Sequence, residues 1–278
     1  MNILEEYGIR HLSASSINKW MGDRGSWVAQ YIYGIKGQMG PAVFRGSAVE
    51  NGLTAYVTEA NEDPLTFARR SYANDIFRQV HGEDFQCSSW QAEIEDICEA
   101  DDVVAKHYGL IEAMLDQAKT AWDGEELGKP VATQIKTTLW IDGISVPVIG
   151  YADFVMDGYC LDLKTTERLP SKPSHMHAIQ ATGYARARDE QYASLLYITG
   201  KKSAHYQLGL DEIRETHADM RQRALGLQST LRAAYADARG DIAKAREIIA
   251  EMCPPDVDSF YWNDRELNEA RERITAWQ

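Results

Sequence analysis

Apolar and polar positions divide the chain into stretches of different period. Up to about residue 130, apolar residues recur at helical spacing, as in helices that bury one face. Residues 13–33 carry Ile17, Trp20 and Met21 behind Ser13 and Ser15, either of which can cap a helix. Gly22-Asp23-Arg24-Gly25 interrupts that stripe. Gly34, Gly37, Gly40 and Gly46 make 34–46 a loop, and a second helix is expected from near Ser47. Residues 64–81 and 91–123 also read as helices, the latter along Val103, Val104, His107, Leu110, Ile111, Met114 and Leu115. Gly124–Pro130 ends the pattern.

The period then changes to two. Ala132–Ile141, Ile144–Met156 and Tyr159–Thr165 read as strands, joined by the turn pairs Asp142-Gly143 and Asp157-Gly158. They form an antiparallel meander. Residues 174–189 are helical, Tyr192–Thr199 and Ala204–Leu210 are strands, and 211–251 are two helices broken near Gly240. Pro254 and Pro255 mark a loop before a final helix. The pattern predicts an α/β protein whose mixed central sheet, a meander followed by a helix and further strands, is flanked by helices. No linker divides it, so 1–278 reads as one domain. Residues 1–130 are its mainly helical part, 131–210 its sheet core and 211–278 its C-terminal helices.

The second hairpin carries the chemistry. A type I′ turn at Asp157-Gly158 sets Met156 opposite Tyr159, Val155 opposite Cys160, Phe154 opposite Leu161 and Asp153 opposite Asp162. Alternation then gives Ala152, Phe154, Met156, Tyr159, Leu161 and Leu163 one apolar face, and Asp153, Asp162 and Lys164 the other. Opposed like charges destabilise a hairpin unless a cation or a shared proton lies between them. A mixed-charge solvent face is the bland alternative, but it would set lysines, not acids, opposite the acids. Two carboxylates with Mg²⁺ or Mn²⁺, the Leu163 carbonyl as a further ligand and Lys164 alongside are parts of a metal-dependent phosphodiester hydrolase. Lys164 would orient the attacking water or stabilise charge on the phosphate.

Net charge is −13, with no broad basic surface for extended duplex. A nuclease that grips phosphate through metal and a few local cations remains compatible, with steep salt sensitivity. No apolar run is long enough for a membrane helix, and the N-terminus does not read as a secretory signal; a cytoplasmic protein is expected. Cys87, Cys98, Cys160 and Cys253 are scattered, which argues against zinc, a disulfide framework and an iron–sulfur cluster. There is no GxxxxGK[ST] loop for an ATP-driven motor.

Other candidates have ordinary readings beside the functional ones. Ser47-x-x-Glu50 is a capping-box pattern, yet Glu50 could present a third carboxylate from a helix. Gln180 and Tyr184 share a helix face, either for packing on the sheet or for contacting the substrate backbone. His175 and His177 read as first-turn residues rather than ligands, and Lys201-Lys202 as a solvated hairpin tip.

Together these residues resemble the PD-(D/E)xK nuclease superfamily, in particular its RecB-like and phage-type exonuclease branch. The family's GxxD strand matches Gly150-Tyr151-Ala152-Asp153, its (D/E)xK strand matches Asp162-Leu163-Lys164, and Thr165 matches the threonine that follows. QxxxY falls on Gln180 and Tyr184, and RGxxx(H/E) on Arg45-Gly46-Ser47-Ala48-Val49-Glu50. LSASSINKW resembles the family's opening helix, although Gly22-Asp23 stands where a Cys-Pro pair is common. The resemblance covers residues 12 to about 263. Glutamate at position 50, where many RecB-like members carry histidine, fits the phage-type branch better. The resemblance implies a restriction-endonuclease-like core and Mg²⁺- or Mn²⁺-dependent cleavage of DNA, most consistent with an exonuclease of recombination, repair or phage DNA metabolism. It implies Glu50, Asp153, Asp162 and the Leu163 carbonyl as metal ligands, with Glu50, Asp153, Asp162 and Lys164 catalytic. Arg45, Thr165, Gln180 and Tyr184 would contact substrate. A recombination partner protein and a homo-oligomer are also compatible. The competing readings are a structure-selective or restriction-type endonuclease and a non-catalytic DNA-binding or partner-binding module; the intact D…DxK set speaks against the latter.

Overall fold

A computed structural model describes the chain except Met1, Lys36, Gln38, Glu83, Asp84, Gln86, Ser88, Phe260 and Asn263, and the side chains of Asp264 and Arg265. A short helix that periodicity does not reveal, α1 (Ile3–Glu6), is capped by Asn2. α2 (Ala14–Gly22) starts on a capping box in which the Ser13 hydroxyl accepts from the Ser16 N–H and the Ser16 hydroxyl accepts from the Ser13 N–H. Asp23 ends α2 and caps α3 (Arg24–Tyr31), so the predicted interruption is one residue wide.

α4 (Pro41–Val57) departs from expectation. It begins at Pro41, whose fixed φ and missing N–H suit the first helical turn, and not near Ser47. Ser47 is therefore inside the helix and caps nothing, so the capping-box reading of Glu50 falls. α5 (Pro64–His81) is capped by Asp63 and closes at Gly82, φ 99°. The stretch 91–123 is three helices: α6 (Trp90–Ala100), α7 (Asp102–Gly109) and α8 (Ile111–Gly124). Asp101 breaks it, because its carboxylate accepts the Val103 and Val104 N–H groups and caps α7.

The sheet consists of β1 (Ala132–Leu139), β2 (Val148–Met156), β3 (Tyr159–Thr165), β4 (Tyr192–Ile198) and β5 (Ser203–Leu208), in spatial order β1-β2-β3-β4-β5. β1–β2, β2–β3 and β4–β5 are antiparallel. β3 and β4 are parallel, joined through α9 (His175–Ala187). β2 starts at Val148 rather than Ile144: the Ile144 N–H closes a turn onto the Ile141 carbonyl, and Pro147 has no N–H. α10 (Leu210–Asp237), α11 (Ile242–Met252), α12 (Asp264–Arg273) and a 3₁₀ turn (Thr275–Trp277) follow.

Both sheet faces are covered, which is why β3 and β4 read as nearly continuous apolar runs. On one side Phe154, Met156, Leu161, Leu163, Leu196 and Ile198 pack with Val49, Leu53 and Leu115. On the other, Ala193, Leu195 and Tyr197 pack with Ala178, Ala181 and Ala185 of α9. A third cluster joins the N-terminal helices to α10 and α11 through Ile17, Trp20, Trp27, Leu227 and Ile249. No helix among the described residues is long and apolar enough to cross a membrane.

Candidate active site

The site lies where the sheet splits. β2 and β3 pair from Met156↔Tyr159 through Phe154↔Leu161, the predicted register, and the ladder then stops. Beyond it, β3 continues against β4 alone. β2 runs on beside β1, with its other edge held by Leu12, which bridges Val148. The Leu12 N–H donates to the Pro147 carbonyl and the Ile149 N–H to the Leu12 carbonyl. Asp153 and Asp162 stand at the fork. They are the next positions in register but not a ladder pair, because Asp153 Oδ2 accepts the Leu163 N–H at 2.8 Å. A side chain replaces the backbone partner there, and the strands part.

β1 is irregular at the same level. Its register passes from Thr133↔Phe154 to Ile135↔Ala152, and Gln134 between them has φ 51°. A non-glycine residue in the left-handed region costs on the order of 1 kcal/mol and is held there by its surroundings. The Gln134 amide donates to Glu50 Oε1. Nothing in the sequence marks Gln134 as part of the site; only the turned backbone does.

Three carboxylates share this small volume with one ammonium. Asp153 and Asp162 are 7% and 1% exposed. Burial, then the Asp162 charge, raises the Glu50 carboxyl to about 7. Asp153 is pushed well above the usual carboxylate range by burial, then by Asp162 and Glu50. Asp162 is raised by burial, with Lys164 opposing. Burial would lower Lys164, but Asp162, Asp153 and Glu50 outweigh it and hold the ammonium charged.

Lys164 Nζ is 2.7 Å from Asp162 Oδ2 and donates to Gln180 Oε1 at 3.0 Å. The ammonium thus holds Asp162 Oδ2, whereas Asp162 Oδ1 is buried with no hydrogen-bond partner. Gln180 Nε2 in turn donates to the Tyr184 hydroxyl at 2.6 Å. Gln180 and Tyr184 thus form a relay that orients Lys164, as well as facing the cleft. A Cβ on Gly150 would lie 2.5 Å from Tyr184 Cε1, so the glycine makes room for the tyrosine ring.

Two expected substrate residues lie behind the cluster, outside the cleft lining. Arg45 is 3% exposed and hydrogen-bonded to His107 Nδ1, so it supports α4 from inside. Thr165 packs on α4, its Oγ1 being 3.2 Å from where a Gly46 Cβ would stand. His175 pairs with Asp219, and His177 Nδ1 with the Tyr197 hydroxyl, consistent with first-turn roles. Lys201 and Lys202 are exposed in a turn where both N–H groups donate to Thr199 Oγ1.

A cleft of about 560 Å³ opens over the fork, lined by Glu50, Asp153, Gln180 and Tyr184 at the acidic end and by His11, Ser13, Ser15, Lys136 and Tyr151 beyond. Lys136, Tyr151 and His11 carried no motif of their own. Among the described residues no three His, Cys, Asp or Glu side chains form a finished metal-binding set. The donor chemistry nevertheless fits a hard divalent cation. Asp162 Oδ1 is buried without a partner beside two further carboxylates, and a single lysine, on Asp162 Oδ2, leaves the group at −2 when all are ionised.

No family model and no curated protein matches the chain. Its fold is similar to the crystal structure of a candidate exonuclease from Eubacterium rectale, with TM-score 0.52 and 12% identity over 79% of this chain and 82% of that one. The crystal structure of SSO0001 overlaps with TM-score 0.34 and 16% identity over 57% of this chain and 86% of that one. The first likeness is one of fold: a five-stranded mixed sheet flanked by helices.

Proposed function

We propose that this protein is a divalent-metal-dependent deoxyribonuclease that acts on the ends of linear DNA, in recombination, repair or phage DNA metabolism. The observation that carries the reading is Asp162, buried at the centre of an acidic cluster, where Lys164 meets Oδ2 at 2.7 Å and Oδ1 has no partner. A buried carboxylate oxygen left so is costly unless a cation satisfies it. Glu50, Asp153, Asp162 and the Leu163 carbonyl would hold Mg²⁺ or Mn²⁺. When bound, that ion would supply Lewis-acid stabilisation of the phosphoryl oxygens and of a nucleophilic water.

The chain's own groups do the rest. Lys164 keeps a proton on Nζ and can donate it in a hydrogen bond to the attacking water or to a phosphate oxygen. Gln180 and Tyr184 fix its direction, and Gln134 fixes the Glu50 carboxylate. An end-directed activity is supported by the small cleft and by the absence of excess positive charge for holding long duplex.

Digestion of linear and covalently closed circular DNA tests the reading. Linear DNA should be degraded in Mg²⁺ to mononucleotides or short products, circles spared, and EDTA or Asp162→Asn should abolish cleavage while the fold remains stable. Full activity in EDTA or in Asp162→Asn would remove the metal assignment. Linearisation of circles as fast as linear digestion would favour an endonuclease.

A further inference from the structure

Beyond the acidic cluster the cleft floor is β1 and β2, and their register puts Lys136 opposite Tyr151. Directly opposed residues of an antiparallel pair project to one face with Cβ atoms about 5 Å apart. Tyr151 is 54% exposed, although its β2 neighbours from Ala152 to Met156 are all buried. Lys136 is exposed too, and both line the cleft that reaches Asp153. Tyr151 is two residues from Asp153, about 7 Å along the strand. An exposed aromatic ring beside a lysine, at this distance from a phosphodiester-cleaving centre, has no role in the core and none in the cluster.

We infer that Tyr151 and Lys136 form a subsite for one unpaired nucleotide of a DNA strand, the Tyr151 ring stacking on the base and Lys136 meeting a phosphate. The inference rests on the nuclease reading and deepens it by naming the substrate as a single-stranded end. A ring that stacks on a base needs that base out of the duplex. The cleft, at about 560 Å³, is the size of a pocket for one or two nucleotide units. In a chain of net charge −13 a lysine in this cleft is a local exception to the overall charge, placed where a phosphate would pass. Stacking tolerates any base, so the subsite selects strandedness rather than sequence.

The test is equilibrium binding of a fluorescent single-stranded dT oligonucleotide and of a blunt duplex, with Ca²⁺ in place of Mg²⁺. Tyr151→Ala should weaken dT binding about 5- to 150-fold, the range for losing one stacked base, while Tyr151→Phe binds as the wild type. Lys136→Ala should reduce the slope of log affinity against log salt by about 0.7, one single-strand phosphate contact. Both side chains are exposed, so thermal unfolding should not change. Unaltered dT binding by Tyr151→Ala, or an equal loss on duplex, overturns the subsite. Hydrolysis in Mg²⁺ is read separately. Tyr151-dependent binding without hydrolysis keeps the subsite and removes the nuclease reading; hydrolysis with unimpaired binding by Tyr151→Ala does the reverse.

Discussion

Glu50 shows how one residue's meaning depends on where its helix starts. With Gly40 as N-cap and Pro41 in the first turn, position 50 has no backbone N–H to satisfy. Glu50→Gln should therefore leave helix stability unchanged, and by removing charge repulsion it should stabilise the metal-free protein slightly. Cleavage should fall at least about tenfold, equivalent to 1.4 kcal/mol in the barrier. Normal kinetics at limiting Mg²⁺ would remove Glu50 from the set of metal ligands. Gly150 makes a different argument. Its Cα lies so close to Tyr184 that Gly150→Ala must displace the ring. We expect a loss of about 1–3 kcal/mol in urea unfolding, the cost of overpacking. Turnover should also drop, because Tyr184 supports Gln180 and through it Lys164. Wild-type stability and turnover would mean that the ring is free to swing aside.

At the scale of elements, single capping residues decide where continuous apolar stripes are cut. The stripe across 91–123 runs through Asp101, and only the acceptance of two N–H groups by its carboxylate turns one predicted helix into separate pieces. Asp101→Ala should cost about 1 kcal/mol of stability, measurable by denaturant unfolding, with activity unaffected. No change would place the break in tertiary packing rather than in the cap. The fork between β2 and β3 is also an element-scale feature. Leu12 takes the edge of β2 that β3 leaves, and this brings the start of α2 to the cleft.

For the whole molecule, the acidic cluster should couple stability to pH and, on the proposed function, to a divalent cation. The folded Glu50 carboxyl at about 7 lies above its ordinary value near 4.3. Between these pH values the folded protein keeps a proton that the unfolded chain has released. Stability of the metal-free protein should therefore fall as pH rises through this window, by on the order of 3 kcal/mol. A divalent cation that binds only the folded state should restore it. Urea unfolding across the window in EDTA and in Mg²⁺ checks this; identical profiles would mean that no ion occupies the cluster. The charge of −13 adds a second expectation, steep inhibition of cleavage by salt. A flat salt response would point to substrate contacts that are not electrostatic.

The strand and helix pattern, the order βββαββ and the register of the Asp157-Gly158 hairpin were legible in the chain, because periodicity and turn chemistry are local. So was the grouping of Asp153, Asp162 and Lys164, since residues two apart on a strand, or opposite across a tight hairpin, have no freedom to be elsewhere. The start of α4 is not legible, because Pro41 lies within a glycine-rich run that reads as loop. Motif position alone points Arg45 and Thr165 at substrate, while the fold buries Arg45 against His107 and leaves Thr165 half-buried beside Gly46. Gln134 and the pair Lys136 and Tyr151 could not be found by spacing. Their proximity to the cluster depends on a backbone turned to positive φ, on a ladder that stops at Phe154↔Leu161, and on α4 arriving from residues far away in sequence. Local sequence determines which groups share a strand; only tertiary packing decides which strands part and what enters the gap.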